Sequence, residues 1–134
     1  MRFFTNFKIV VFISLFTSIF LTKIFANGQK FYEEGSKSYD SGDYERGLLY
    51  LRKAAEEENV PAIEKLAEIY LNNYMDSDFY AENELQDGIK LLEKASNLGS
   101  AYAMETLGFI YTSLFGDYES SIFWYEKACE RGYP

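Results

Sequence analysis

Three segments of this chain repeat one another, and that repetition limits the fold more than any other feature. Gly42 to Ala55 reads GDYERGLLYLRKAA, and Gly116 to Gly132 reads GDYESSIFWYEKACERG; Asp87 to Gly99, DGIKLLEKASNLG, is a partial third copy. Each has a small residue early (Gly47, Gly88, Ser121) and a Lys-Ala pair seven residues later. The alanines of that pair are Ala54, Ala95 and Ala128, at intervals of 41 and 33 residues. A unit of this size, repeated at a nearly fixed period, is how a helical repeat array appears in sequence, since one unit cannot bury its apolar face alone.

Apolar spacing extends the pattern through the rest of the chain. Tyr44, Gly47, Leu48, Leu51 and Ala54 follow an i, i+3, i+4, i+7 rhythm, and Ala62, Leu66, Ala67 and Tyr70 return 41 residues later as Ala103, Leu107, Gly108 and Tyr111. The spacing predicts helices over Lys30–Ser41, Asp43–Glu58, Ala62–Asn73, Asp87–Leu98, Ser100–Leu114 and Tyr118–Arg131. Gly42 and Asp43 stop one helix and cap the next, Pro61 suits a first helical turn, and Gly99 closes the fourth helix. The stretch Asn72–Gln86 replaces the tight Gly-Asp-Tyr turn with a longer insertion, expected as a loop on one face. Small residues (Gly35, Gly47, Ala54, Ala67, Gly88, Ala95, Gly108, Ala128) let paired helices approach, while Tyr44, Tyr70, Tyr111 and Tyr118 are expected to fill wedges between pairs. The fold class is therefore all-α: a short α-solenoid of three helix-turn-helix repeats (about 28–59, 60–99 and 100–133) within residues 27–134.

Residues 1–26 belong to a different category. Arg2 and Lys8 precede a 13-residue apolar run, Ile9–Leu21, and Ala26 is a small residue at a plausible cut. That layout is a secretory signal peptide, with an uncleaved anchor as the alternative, and the run is short for a bilayer span. The expected address is exported, periplasmic or secreted, with no other membrane attachment. Cleavage removes three of 13 basic residues and none of 21 acidic ones, leaving a net charge near −11. So acidic a chain repels nucleic acid and favours basic or polar partners. Cys129, the single cysteine, excludes an internal disulfide and reads as a small buried packing residue, with an intermolecular bridge as the alternative.

The residues carrying the third unit, Ala103/Leu107-Gly108/Tyr111, Gly116-Asp117-Tyr118 and Trp124-Tyr125-Glu126-Lys127-Ala128 with Gly132, resemble the Sel-one-like repeat, a relative of the tetratricopeptide repeat. The first unit (Gly35, Gly42-Asp43-Tyr44, Gly47, Ala54) is closer to the tetratricopeptide version. The resemblance implies a superhelical array whose concave groove holds extended peptides or partner helices. It also implies two narrower possibilities. Some small exported members act as immunity proteins against delivered toxins, and a cysteine-rich branch is linked to β-lactam binding and hydrolysis. That branch pairs cysteines in each repeat, which one cysteine cannot do.

Chemistry-bearing constellations are sparse. The chain has no histidine, which removes His-based triads, Cys-His dyads and His metal sites. No glycine-rich phosphate loop or paired-cysteine zinc spacing appears. Asp76, Asp78, Glu82 and Glu84 could face calcium, but Ala81 stands where a calcium loop needs glycine and Tyr80 replaces a ligand. No cofactor, metal or catalytic residue is expected. What remains is an aromatic and acidic strip on the first helix of each pair: Tyr32, Tyr39, Glu64, Glu68, Leu71, Tyr102, Glu105 and Phe109. Aromatic anchors beside carboxylates suit a protein or peptide partner. The sequence thus describes a non-enzymatic, exported interaction module acting through that groove and an uncapped C-terminal end on Ile122, Trp124 and Tyr125. A truncated repeat fragment is the remaining reading.

Overall fold

A computed structural model describes residues 2–76 and 82–132. The described residues form six α-helices and no strand: α1 (Arg2–Asp40), α2 (Tyr44–Glu56), α3 (Val60–Asp76), α4 (Glu82–Asn97), α5 (Ala101–Ile110) and α6 (Tyr118–Glu130). The main contacts pair α1 with α2, α3 with α4 and α5 with α6. Thinner contacts from α2 to α3 and from α4 to α5 join the pairs in series. This is the all-α solenoid of three helix pairs that the repeat spacing predicts, each unit lending its apolar face to the next.

Local chemistry sets the helix ends. Asp43 and Asp117 accept from the backbone N–H groups of Arg46 and Ser120, at 3.3 and 3.1 Å. Asn59 and Ser100 do the same for Ala62 and Ala103, at 3.0 and 2.9 Å. Each satisfies a donor that a helix N-terminus leaves without an intrahelical partner. Gly42 and Gly116 take φ of 91° and 64° where the chain reverses between paired helices, a backbone region that side chains disfavour.

One hydrophobic core runs the length of the array. Leu51, Ala54, Ile63, Leu66, Ala67, Leu92, Ala95, Ala103 and Leu107 are buried in it. All eight small residues singled out above are buried. A methyl group on Gly47 would lie 2.7 Å from the Cβ and backbone N of Tyr39, so α1 and α2 touch at this point.

The structure corrects several expectations. The first helix begins at Arg2 rather than Lys30: 39 residues continue unbroken because nothing between Phe25 and Gln29 stops a helix, Gly28 included. The described residues of the 72–86 insertion, 72–76 and 82–86, are helical rather than loop. They extend α3 to Asp76 and start α4 at Glu82, with Glu82 and Glu84 in the first turn, where carboxylates favour the helix dipole. Asp78, Tyr80 and Ala81 of the calcium grouping lie outside the described residues, as does Pro134. The fifth helix is not α-helical to Leu114: Tyr111–Phe115 form a π-helical turn. The repeat register explains it. Seven residues separate Gly35 from Gly42 but eight separate Gly108 from Gly116, and a π turn absorbs one extra residue without shifting the face on either side.

Two tyrosines and the cysteine are also placed differently. Tyr44 and Tyr118 open α2 and α6 and remain 59 % and 69 % exposed, since the preceding helix has already turned away at the glycine. Cys129 is exposed rather than buried. Its counterparts Ala55 and Ser96 are buried beneath the following repeat, and no described helix follows α6.

Candidate functional site

Aligning the repeats on Gly35, Ala67 and Gly108 sorts the first-helix residues into columns. Tyr32, Glu64 and Glu105, each three residues earlier, form one column; Ser36, Glu68 and Phe109, each one residue later, form another. Tyr102 stands six residues before Gly108, one turn from Glu105 and Thr106.

Hydrogen bonds hold α3 and α5 side by side at these columns. The Tyr102 hydroxyl donates to Glu68 Oε1 at 2.6 Å, and the Ser100 hydroxyl donates to Glu64 Oε1 at 2.5 Å. Ser100 thereby caps its own helix and ties it to the previous repeat. The Tyr102 hydroxyl is pushed up to about 12, first by burial, then by its bond to Glu68 and the negative charge there. It stays a proton donor throughout the ordinary pH range. On the other side of α3, Lys65 Nζ sits 2.8 Å from Asp40 Oδ1 and links this helix to α1.

Glu64, Glu68 and Glu105 have no cation within ion-pairing distance among the described residues. Their charges therefore add to a local negative field. Beside them Phe109 is 61 % exposed, and Tyr32 lies half-buried at the edge of the core. Six of the eight predicted residues, Tyr32, Glu64, Glu68, Tyr102, Glu105 and Phe109, thus occupy the first-helix face.

Tyr39 and Leu71 do not. Tyr39 lies over Gly47 of α2, with its ring edge-on to Tyr44 at 4.9 Å. Leu71 lies over Gly88 of α4, its Cγ and Cδ2 3.1 Å from where a Cβ would be. Both stand four residues after the aligned small residue, in a column completed by Thr112, whose hydroxyl is bonded to that of Ser121. This column closes each helix pair: the early small residue of the second helix leaves a hollow, and the first helix fills it. Ser36, which shares the alignment column of Glu68 and Phe109, has a buried hydroxyl with no hydrogen-bond partner among the described residues.

The C-terminal end is the second exposed surface. Ile122 and Tyr125 are exposed there and, with Cys129, line a cavity of about 410 Å³ on α6. Trp124, expected on that open face, instead packs half-buried against the core.

The family model for the Sel1 repeat matches residues 28–59, 60–100 and 101–133, which are the three helix pairs. No curated protein matches the chain.

Proposed function

We propose a binding role for this chain, and the premise is that it belongs to the Sel1 repeat family, matched over residues 28–133. Sel1 repeats are generally protein–protein interaction modules. The chain is a non-enzymatic adaptor or immunity-type protein that holds a basic or polar protein segment on its first-helix face. The observation carrying this reading is the set of Glu64, Glu68 and Glu105, three carboxylates without cation partners among the described residues, next to the exposed ring of Phe109. An arginine or lysine of the partner would supply the missing charge, and its apolar neighbour would cover Phe109. The exposed side chains of Ile122 and Tyr125 on α6 extend the contact surface. Nucleic acid is not the partner, because the same carboxylates would repel phosphates.

Export precedes binding in this account. Every described side chain from residue 10 to residue 27 is exposed, and Gly28 is the first buried residue among those described. Asn27 stands in the register of Asn59 and Ser100, the two residues that cap α3 and α5. A cut after Ala26 would leave the domain whole and begin it at a capping residue. No helix among the described residues is long and apolar enough to cross a membrane.

The test is recovery of the C-terminally tagged protein from the exported fraction. A single stoichiometric protein partner is expected, with capture weakened by Glu68→Lys and by Tyr102→Ala. Recovery of the protein only from the cytoplasm, uncut, would overturn the export step. Capture unaffected by either substitution would overturn the assignment of the face.

A further inference from the structure

The three repeats are alike enough that a departure in one of them is informative. In each, a lysine precedes the aligned alanine: Lys53, Lys94 and Lys127. Four residues before that alanine stand Tyr50, Leu91 and Trp124. In the first and third repeats the pair is a cation on a ring, with Lys53 Nζ 5.2 Å from the centre of Tyr50 and Lys127 Nζ 5.0 Å from the centre of Trp124. In the second repeat the ring is absent. Leu91 takes its place, and Lys94 instead donates to the backbone carbonyl of Ala55 at 2.7 Å.

A cavity opens at that same place. It measures about 440 Å³ and lies between α2 and α4, with α3 between them. Leu66 and Leu91 give it an apolar lining, and the Tyr70 hydroxyl reaches its edge, where it accepts from Arg52 Nη2 at 3.1 Å. The corresponding position in the next groove holds the ring of Trp124, half-buried against the core.

Charge distinguishes the two grooves as well. Arg52, Lys90 and Lys94 surround the first, opposed by Glu56 and by Asp87, and Asp87 is engaged with Lys90 at 3.3 Å. Among the described residues, Arg52 and Lys94 have no carboxylate partner. In the next groove the residue aligned with Arg52 is Glu93, and that aligned with Lys90 is Phe123. A chain with 21 acidic and 13 basic residues therefore gathers three cations around the one groove whose internal ring is missing.

We infer that the cleft between the first and second repeats binds a small aromatic carboxylate. The ligand's ring would occupy the place that Trp124 fills one repeat later, against Leu66 and Leu91. Its carboxylate would face Arg52 and Lys94, with the Tyr70 hydroxyl at the edge to orient it. A cavity of this size accommodates one or two fused rings. The site is separate from the first-helix face and does not depend on it.

The test is a titration of the full-length, ¹⁵N-labelled chain with naphthalene-2-carboxylate, followed by amide shifts. Saturable shifts are expected at Ala55, Tyr70 and Leu91, with the neutral naphthalene-2-carboxamide binding about tenfold more weakly, as loss of a charge-assisted contact implies. Leu91→Trp places inside the cleft the side chain that the third repeat already carries there, and should abolish the shifts. Arg52→Glu, on an exposed position and copying Glu93, should weaken binding by about tenfold even if the tryptophan variant folds poorly. The inference fails if no saturable shift appears at roughly millimolar ligand, the weak end of specific binding. It fails equally if carboxylate and carboxamide bind alike, or if Arg52→Glu leaves the affinity unchanged.

Discussion

Two glycine-to-alanine substitutions at the same repeat position should give different outcomes, because what faces them differs. Gly47 and Gly88 both lie inside second helices, where alanine is favoured over glycine by about 1 kcal/mol. A methyl group on Gly47 meets the Cβ, Cα and backbone N of Tyr39 at 2.7 to 2.8 Å. Those atoms belong to the frame of α1, so relief requires the helices to separate. Overpacking of that kind costs about 1–3 kcal/mol, and a backbone contact belongs at the upper end. The net expectation for Gly47→Ala is a loss of about 2 kcal/mol, or a melting temperature lower by roughly 8 °C or more. At Gly88 the methyl group meets Cγ and Cδ2 of Leu71 at 3.1 Å. Leu71 is half-buried and can yield by a few tenths of an ångström, so strain and helix propensity nearly cancel, within about 0.5 kcal/mol. Urea unfolding of the full chain, with both variants compared at equal m-value, measures the difference. A Gly88 variant as unstable as the Gly47 variant would refute the argument that backbone contact at Tyr39 sets the cost.

Four further outcomes follow from the side-chain geometry. Ser100→Ala removes a helix cap and the bond to Glu64, and should cost about 1–2 kcal/mol by urea unfolding. The Tyr102 hydroxyl keeps its proton in the folded chain up to about 12, whereas an unfolded tyrosine loses it near 10. The stability linked to this raised value, set first by burial and then by the bond to Glu68, is thus fully present below about pH 10 and falls away as pH rises towards about 12. Glu68→Gln should bring the ionisation of Tyr102, followed by tyrosinate absorbance at alkaline pH, to lower pH. The carboxyl of Asp117 is held below its usual range by the hydroxyl and then the backbone N–H of Ser120. Its contribution is present above the unfolded carboxyl value and disappears as pH falls through the lower, folded one, so Asp117→Asn should flatten the acid end of the stability profile. Cys129→Ser should leave stability within about 0.5 kcal/mol, as expected for an exposed side chain.

Where the sequence was sufficient, the structural signal was local and periodic. The Gly-Asp-Tyr turns announced both a reversal and a cap, and Asp43 and Asp117 fill those roles. The small residues identified the helix contacts, because close approach needs their missing side chains. The placement of the candidate residues was partly legible: Tyr32, Glu64, Glu68, Tyr102, Glu105 and Phe109 share the first-helix face, as helical spacing requires. Tyr39 and Leu71 were misplaced because spacing alone assigned them to the stripe, whereas the hollows at Gly47 and Gly88 draw them to the partner helix. Cys129 was misread by analogy with Ala55 and Ser96, which are buried by a following repeat and not by their own helix. The π turn was hidden because one extra residue changes neither composition nor polarity. Continuation of α1 through Ala26 was not legible because the only marker there, Gly28, does not stop a helix that is otherwise unbroken from Arg2 to Asp40.

The central claim, that the first-helix face is where a protein partner docks, is tested most directly by photo-crosslinking. A benzophenone side chain is placed at position 109 on α5 or, as the control, at position 49 on α2, both exposed in the structure. The account predicts one discrete adduct from position 109, lost in the Glu68→Lys background, and none from position 49. An adduct from position 49 with none from position 109 would contradict it.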